Sequence, residues 1–169
     1  YAAARELTKA FVLPDFNGFD RGPRLSLHYT TLTAYEQGMP VRVAYPKPPK
    51  MTNILGEYAC DLRLRQFRCA ETEKFPHVTF FFNDYREAPF ECEDRQIIPS
   101  PQVSTYDLMP EMSAYGICDE MLKRINSDQY DLLVVNFANG DMVGHTGVLE
   151  AAVKAVEHVD ISVGRVLEA

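Results

Sequence analysis

The sequence predicts an α/β fold, and three features carry that expectation. DLLVVNFA at 131–138 is a nearly continuous apolar run of the kind that forms a parallel strand covered on both faces. Helical patterns stand directly before and after it, and a shorter strand pattern, RQFRCAE at 65–71, follows a helical segment of its own. Helix, strand and helix in succession build a sheet flanked by helices, in which ligands gather beyond the carboxyl ends of the strands.

Residues 2–12 read as a helix stopped by Pro14. LSLHYTTLTAY (25–35) and VRVAYP (41–46) have the β-branched and aromatic content of strands, and EQGMP between them reads as a turn, so a hairpin or two successive strands are expected. PKPPK at 46–50 concentrates Pro and Lys, which favours an extended, solvated segment and marks a linker between two parts of the chain. Beyond it Ile54, Leu55, Tyr58, Ala59 and Leu62 recur at helical spacing. PHVTFFFN (76–83) fits strand or helix. The charged, Pro-containing stretch 83–107 lacks a sustained period and reads as loop with short strands. PEMSAYGICDEMLKRINS (110–127) opens with Pro at the first helical position and closes on Lys, Arg and Asn, as helix termini favour. From Leu149 onward Ala152, Val153, Val156, Val159, Val163 and Val166 fall along a helical stripe.

The chain has 169 residues and is 46% hydrophobic and 24% charged, a globular composition with room for a sizeable core. Its net charge of −7 argues against a nucleic-acid binder, which collects Lys and Arg to neutralise phosphates. No run approaches the roughly 18 apolar residues of a membrane span, and the first residues lack a signal peptide's apolar core, so a cytoplasmic location without membrane association is expected. Cys60, Cys69, Cys92 and Cys118 are scattered without a CxxC pair, as expected of reduced thiols.

Asp141 and His145, in NGDMVGHTG after the long apolar strand, stand four apart, which on a helical turn brings a carboxylate and an imidazole to one side. Such a pair can share a metal ion, and an oxygen with a nitrogen suits Mn or Zn better than Ca or Mg. The competing reading is an exposed helix-start Asp and a surface His. CAETEKFPH places Glu71, Glu73 and Lys74 at the end of the other strand, where a compact cation could hold a phosphate. A solvated charge cluster is the alternative. His28 and His77 read as structural and His158 as a surface or interhelical residue. Nucleotide-binding and nucleophile-elbow motifs are absent, and no serine stands in a recognisable nucleophile motif.

Taken together in order and spacing, AETEKFPHVTFFFN, PSPQVSTYDLMPEMSA and NFANGDMVGHTG resemble the cofactor-independent phosphoglycerate mutases of the alkaline phosphatase superfamily. The resemblance extends upstream through TNILGE and RELTKAFVLPDFNGFDR and covers nearly the whole chain. It implies residues 1–45 as the end of an inserted transferase domain, 46–50 as a linker, and 51–169 as part of a metal-bearing phosphatase domain with a partial alkaline-phosphatase-like sheet. It also implies an isomerase of glycolysis that interconverts 3-phosphoglycerate and 2-phosphoglycerate through a phosphoserine. The cofactors implied are two Mn2+ ions, with no 2,3-bisphosphoglycerate.

By the same resemblance Asp141 and His145 are ligands of one manganese ion, and Lys74 is the catalytic, substrate-binding lysine at the transferring phosphoryl group. The nucleophilic serine, a second-metal aspartate, a further Asp-His pair and a later histidine belong to segments outside this chain. The 169 residues alone are therefore expected to be inactive, while the complete enzyme is expected to be a monomer acting on the small molecule phosphoglycerate. Two departures stand out. YAAA occupies the place of an Arg-rich run, and Asp84-Tyr85 replaces a glycine pair common after the aromatic run. The alternatives are another metallophosphoesterase or phosphomutase of the same superfamily, or a non-catalytic module whose exposed sheet edge drives self-association.

Overall fold

The computed structural model describes residues 2–169, which fall into two compact units dividing between Lys50 and Met51. In the first unit, helix α1 (Ala2–Val12) is followed by a long irregular segment carrying two very short strands, β1 (Thr30–Thr31) and β2 (Arg42–Val43). Arg21 fastens the irregular segment to the end of α1 by donating to the carbonyls of Ala10 (2.6 Å) and Pro14 (3.1 Å). Of the two expected arrangements, a hairpin or two successive strands, the second is formed, though far shorter than the 25–35 and 41–46 segments. The two strands pair in parallel, Thr30 with Arg42 and Thr31 with Val43, and residues 22–28 before them are exposed. One face of the short ladder is covered, with Thr31 buried and Val43 half-buried, while Thr30 and Arg42 are exposed.

The second unit is an α/β layer structure. In chain order it contains α2 (Leu55–Asp61), β3 (Gln66–Glu71), α3 (Phe75–Val78), β4 (Glu93–Ile98), α4 (Ala114–Ile125), β5 (Leu132–Asn136), α5 (Asn139–Gly144) and α6 (Leu149–Leu167). A 3-10 turn at Tyr106–Leu108 lies between β4 and α4. The sheet is parallel throughout, in the order β4-β3-β5. Central strand β3 is buried along its whole length. Phe67 and Cys69 enter a core with Ile117 and Met121 of α4, whereas Gln66 and Arg68 alternate to the other face. There Gln66 donates to the Gly56 carbonyl of α2 (2.7 Å), and the Arg68 guanidinium lies 4.3 Å from the centre of the Phe82 ring. A second core joins Met112, Ala138, Val143, Ala151 and Ala155, seating α5 and α6 on the segment before α4.

Two expectations need correction in this unit. β5 is half-buried at every position rather than covered on both faces, because it is an edge strand of the three-stranded sheet. Helix α4 begins at Ala114, not at Pro110. Asn139 Nδ2 donates to the carbonyls of both Pro110 and Glu111 (2.8 Å each), and Met112 takes a positive φ of 43°, so the chain there folds against α5 instead of into a helix. The ambiguous 76–83 segment resolves into the short helix α3 followed by turns. Asp84 and Tyr85 hold the left-handed backbone with φ of 50° and 64°. Such a conformation costs a non-glycine residue about 1–2 kcal/mol. The Tyr85 ring lies edge-on to Phe80 and Phe81, contacts that offset part of that cost. Among the described residues no helix is long and apolar enough to cross a membrane.

Candidate functional site

Parallel pairing puts the carboxyl ends of β3 and β5 side by side, with Ala70 opposite Asn136. Three residues past β3 stands Lys74; five residues past β5 stands Asp141. The chain after β5 turns at once into α5, which carries Asp141 in its first turn and hands on to His145 at its C-cap. Gly147, at a φ of 75°, then turns the chain into α6, a left-handed position that glycine occupies without steric cost.

The three sequence-predicted residues meet. The Lys74 ammonium pairs with Asp141 Oδ2, and His145 Nε2 lies 3.3 Å from Asp141 Oδ1. Lys74 is largely enclosed, its side chain 14% exposed, while Asp141 and His145 open to solvent at 51% and 75%. The Lys74 hydrogen bond outweighs the opposing effect of partial burial and, with the Lys74 charge and smaller contributions from His145 and His77, holds the Asp141 carboxyl below its ordinary range. His77 thus belongs to the electrostatic surroundings of the site although the sequence marked it as structural. His158 is interhelical, sharing a 2.7 Å hydrogen bond between its Nδ1 and the Tyr115 hydroxyl.

Two donors each about 2.1 Å from one ion stand roughly 3.0–3.4 Å apart at octahedral to tetrahedral angles. The separation of Asp141 Oδ1 and His145 Nε2 fits that requirement. Among the described residues no group of three or more His, Cys, Asp or Glu side chains could hold an ion; Asp141 and His145 stand as a pair.

The turn carrying Lys74 is stitched to the segment after β4. Thr72 donates its N–H to the Ile98 carbonyl (3.0 Å), Ser100 its N–H to Thr72 Oγ1 (3.2 Å), and Lys74 its N–H to the Glu71 carbonyl (3.0 Å). Glu73 accepts a 2.8 Å hydrogen bond from the Tyr106 hydroxyl. Sequence reasoning gave Tyr106 no role, since 33 residues separate it from Glu73 and no periodicity links a turn to a distant 3-10 segment.

Glu71, the last residue of β3, is fully buried and neither carboxyl oxygen has a hydrogen-bond partner of normal geometry. Burial pushes its pKa up, against a smaller lowering by nearby Ser100 and the Ser113 backbone. Because the folded pKa lies above the unfolded one, its contribution to stability is present at low pH. That contribution is lost as pH rises above about 4.3, the unfolded value, toward the raised folded value. Glu71→Gln is therefore expected to flatten the fall of the melting temperature across that window. Parallel pH profiles of wild type and variant in thermal unfolding would contradict this account.

The match to known proteins agrees with this geometry. Residues 14–169 match the Metalloenzyme superfamily, and the chain belongs to that family. Within it the chain is 59% identical to a 2,3-bisphosphoglycerate-independent phosphoglycerate mutase of Rhodopirellula baltica, over 98% of this chain and 32% of that protein. The protein of the same name from Thiobacillus denitrificans is 56% identical over the same shares. A crystal structure of Leishmania mexicana phosphoglycerate mutase at low cobalt concentration superposes with a TM-score of 0.69 at 37% identity, covering 94% of this chain and 29% of that one. The resemblance read from the motifs is borne out, and the chain spans about a third of the length of the curated relatives it matches.

Proposed function

We propose that this chain supplies one wall of the active site of a 2,3-bisphosphoglycerate-independent phosphoglycerate mutase, which interconverts 3-phosphoglycerate and 2-phosphoglycerate. The observation that carries this reading is the convergence of Lys74, Asp141 and His145 at the carboxyl ends of neighbouring parallel strands. Support comes from the identity of 59% to a protein of that name. In this reading residues 1–45 close the transferase domain, 46–50 link it, and 51–169 belong to the phosphatase domain. The setting is cytoplasmic glycolysis.

Asp141 and His145 would hold one of two Mn2+ ions, offering a hard carboxylate oxygen and an imidazole nitrogen. A divalent ion there supplies Lewis-acid charge that favours a hydroxyl nucleophile's alkoxide and neutralises phosphoryl oxygens. Lys74 adds a compact point charge from a largely enclosed position, where the lowered dielectric strengthens its pull on an anionic group. Asp141 pairs with that ammonium, so the cation and the proposed ligand pair face one place. The hydroxyl that carries the phosphoryl group comes from a segment outside this chain.

The test grafts residues 1–169 in place of the matching third of the Rhodopirellula baltica relative and follows 2-phosphoglycerate formation with Mn2+ and no added 2,3-bisphosphoglycerate. Turnover within about tenfold of the host is expected, and a folded chimera without turnover would refute the reading.

A further inference from the structure

We infer that Tyr106 is a positioning residue for Lys74, holding the neighbouring Glu73 carboxylate away from the ammonium so that Lys74 stays aligned with Asp141. The inference rests on the proposed mutase function.

Tyr106 touches both halves of the site. Its hydroxyl donates to Glu73 Oε1 at 2.8 Å, one residue before Lys74. Its ring packs against the cluster containing Ala138 and Val143. Ala138 immediately precedes α5, and Val143 lies on α5 between Asp141 and His145. A single rigid side chain therefore bridges the β3 turn that carries the cation and the helix that carries the ligand pair. Burial, and then the Glu73 carboxylate, raise the Tyr106 pKa, so the phenol keeps the proton it donates.

Glu73 is the competing group. It is exposed and adjacent to Lys74, and its main chain is fixed by the stitching of the turn, so only its side chain has freedom to move. Deprived of the Tyr106 hydroxyl, its carboxylate becomes a second anionic partner for the Lys74 ammonium. A cation drawn to Glu73 leaves the position from which it meets a phosphoryl group, and small displacements of a charged catalytic group cost rate more than binding.

In the grafted mutase, Tyr106→Phe is expected to lower kcat about tenfold with KM changed less than about twofold, since a transition-state contact is misaligned while substrate anchoring by other groups persists. Adding Glu73→Gln to that variant removes the competing charge and is expected to restore kcat to within about threefold of the parent. Loss of packing alone would not be repaired by a change at Glu73. Thermal unfolding of Tyr106→Phe should stay within a few degrees of the parent, because the ring remains. An unchanged kcat in Tyr106→Phe, or a double variant no faster than the single one, would overturn the inference while leaving the proposed function standing. A folded graft with no mutase activity would overturn both.

Discussion

Asp141→Ala in the grafted mutase lowers kcat by about a thousandfold on this account, the size expected when a metal ligand and an electrostatic partner are lost together. The side chain has two duties that use different oxygens: Oδ2 receives Lys74, and Oδ1 stands beside His145 Nε2. Alanine removes both. Stability should change little, because the carboxylate is half-exposed and water can take its place beside the ammonium. Steady-state kinetics at saturating Mn2+, together with an unfolding midpoint close to that of the parent, check the prediction. A kcat within tenfold of the parent would remove Asp141 from the proposed machinery.

The largest expected effect on stability lies at Phe67. Its side chain is 1% exposed near the start of central strand β3, packed with Ile117 and Met121 of α4. The Arg124 guanidinium lies 4.7 Å from its ring centre, and the Tyr130 ring 5.4 Å away. Phe67→Ala is expected to cost about 3–5 kcal/mol, the range for truncating a buried aromatic side chain. Domain stabilities are typically about 5–15 kcal/mol, so this single cavity removes a large share of the folding free energy of the α/β unit. Urea unfolding followed by circular dichroism would show the loss as a lowered midpoint. A shift equivalent to under about 1 kcal/mol would mean that α4 collapses onto the sheet and refills the space.

The parts of this fold legible in the sequence are those fixed by local periodicity. Helix α6 follows from apolar spacing, and the end of α1 from Pro14. Strand β3 and helix α2 follow from short patterns that tertiary burial reinforces. Where long-range contacts decide, the sequence misleads. Pro110 has the chemistry of a helix start, yet Asn139 captures two carbonyls of that turn and delays α4 to Ala114. Thr30, Thr31 and Val43 favour strands, yet they pair for only two residues and in parallel, because the exposed run 22–28 beside them has nothing to pack against. The apolar content of β5 suggests burial on both faces, but its burial depends on how many strands flank it, which its own residues do not encode.

The site divides in the same way. Asp141 and His145 are legible because four residues are one helical turn, and α5 realises that turn. Their meeting with Lys74 depends on β3 and β5 being parallel neighbours, which neither motif states by itself; the combined order of motifs, read as a family resemblance, makes it legible. The Glu73–Tyr106 bond and the influence of His77 on Asp141 arise only from tertiary packing.

The most direct test of the central claim is anomalous diffraction from Mn2+-loaded crystals of the grafted mutase. The account predicts a manganese peak within bonding distance of both an Asp141 carboxylate oxygen and His145 Nε2, with the Lys74 ammonium facing the same pocket. Manganese bound elsewhere, with Asp141 still engaged only by Lys74 and His145 free in solvent, would contradict it.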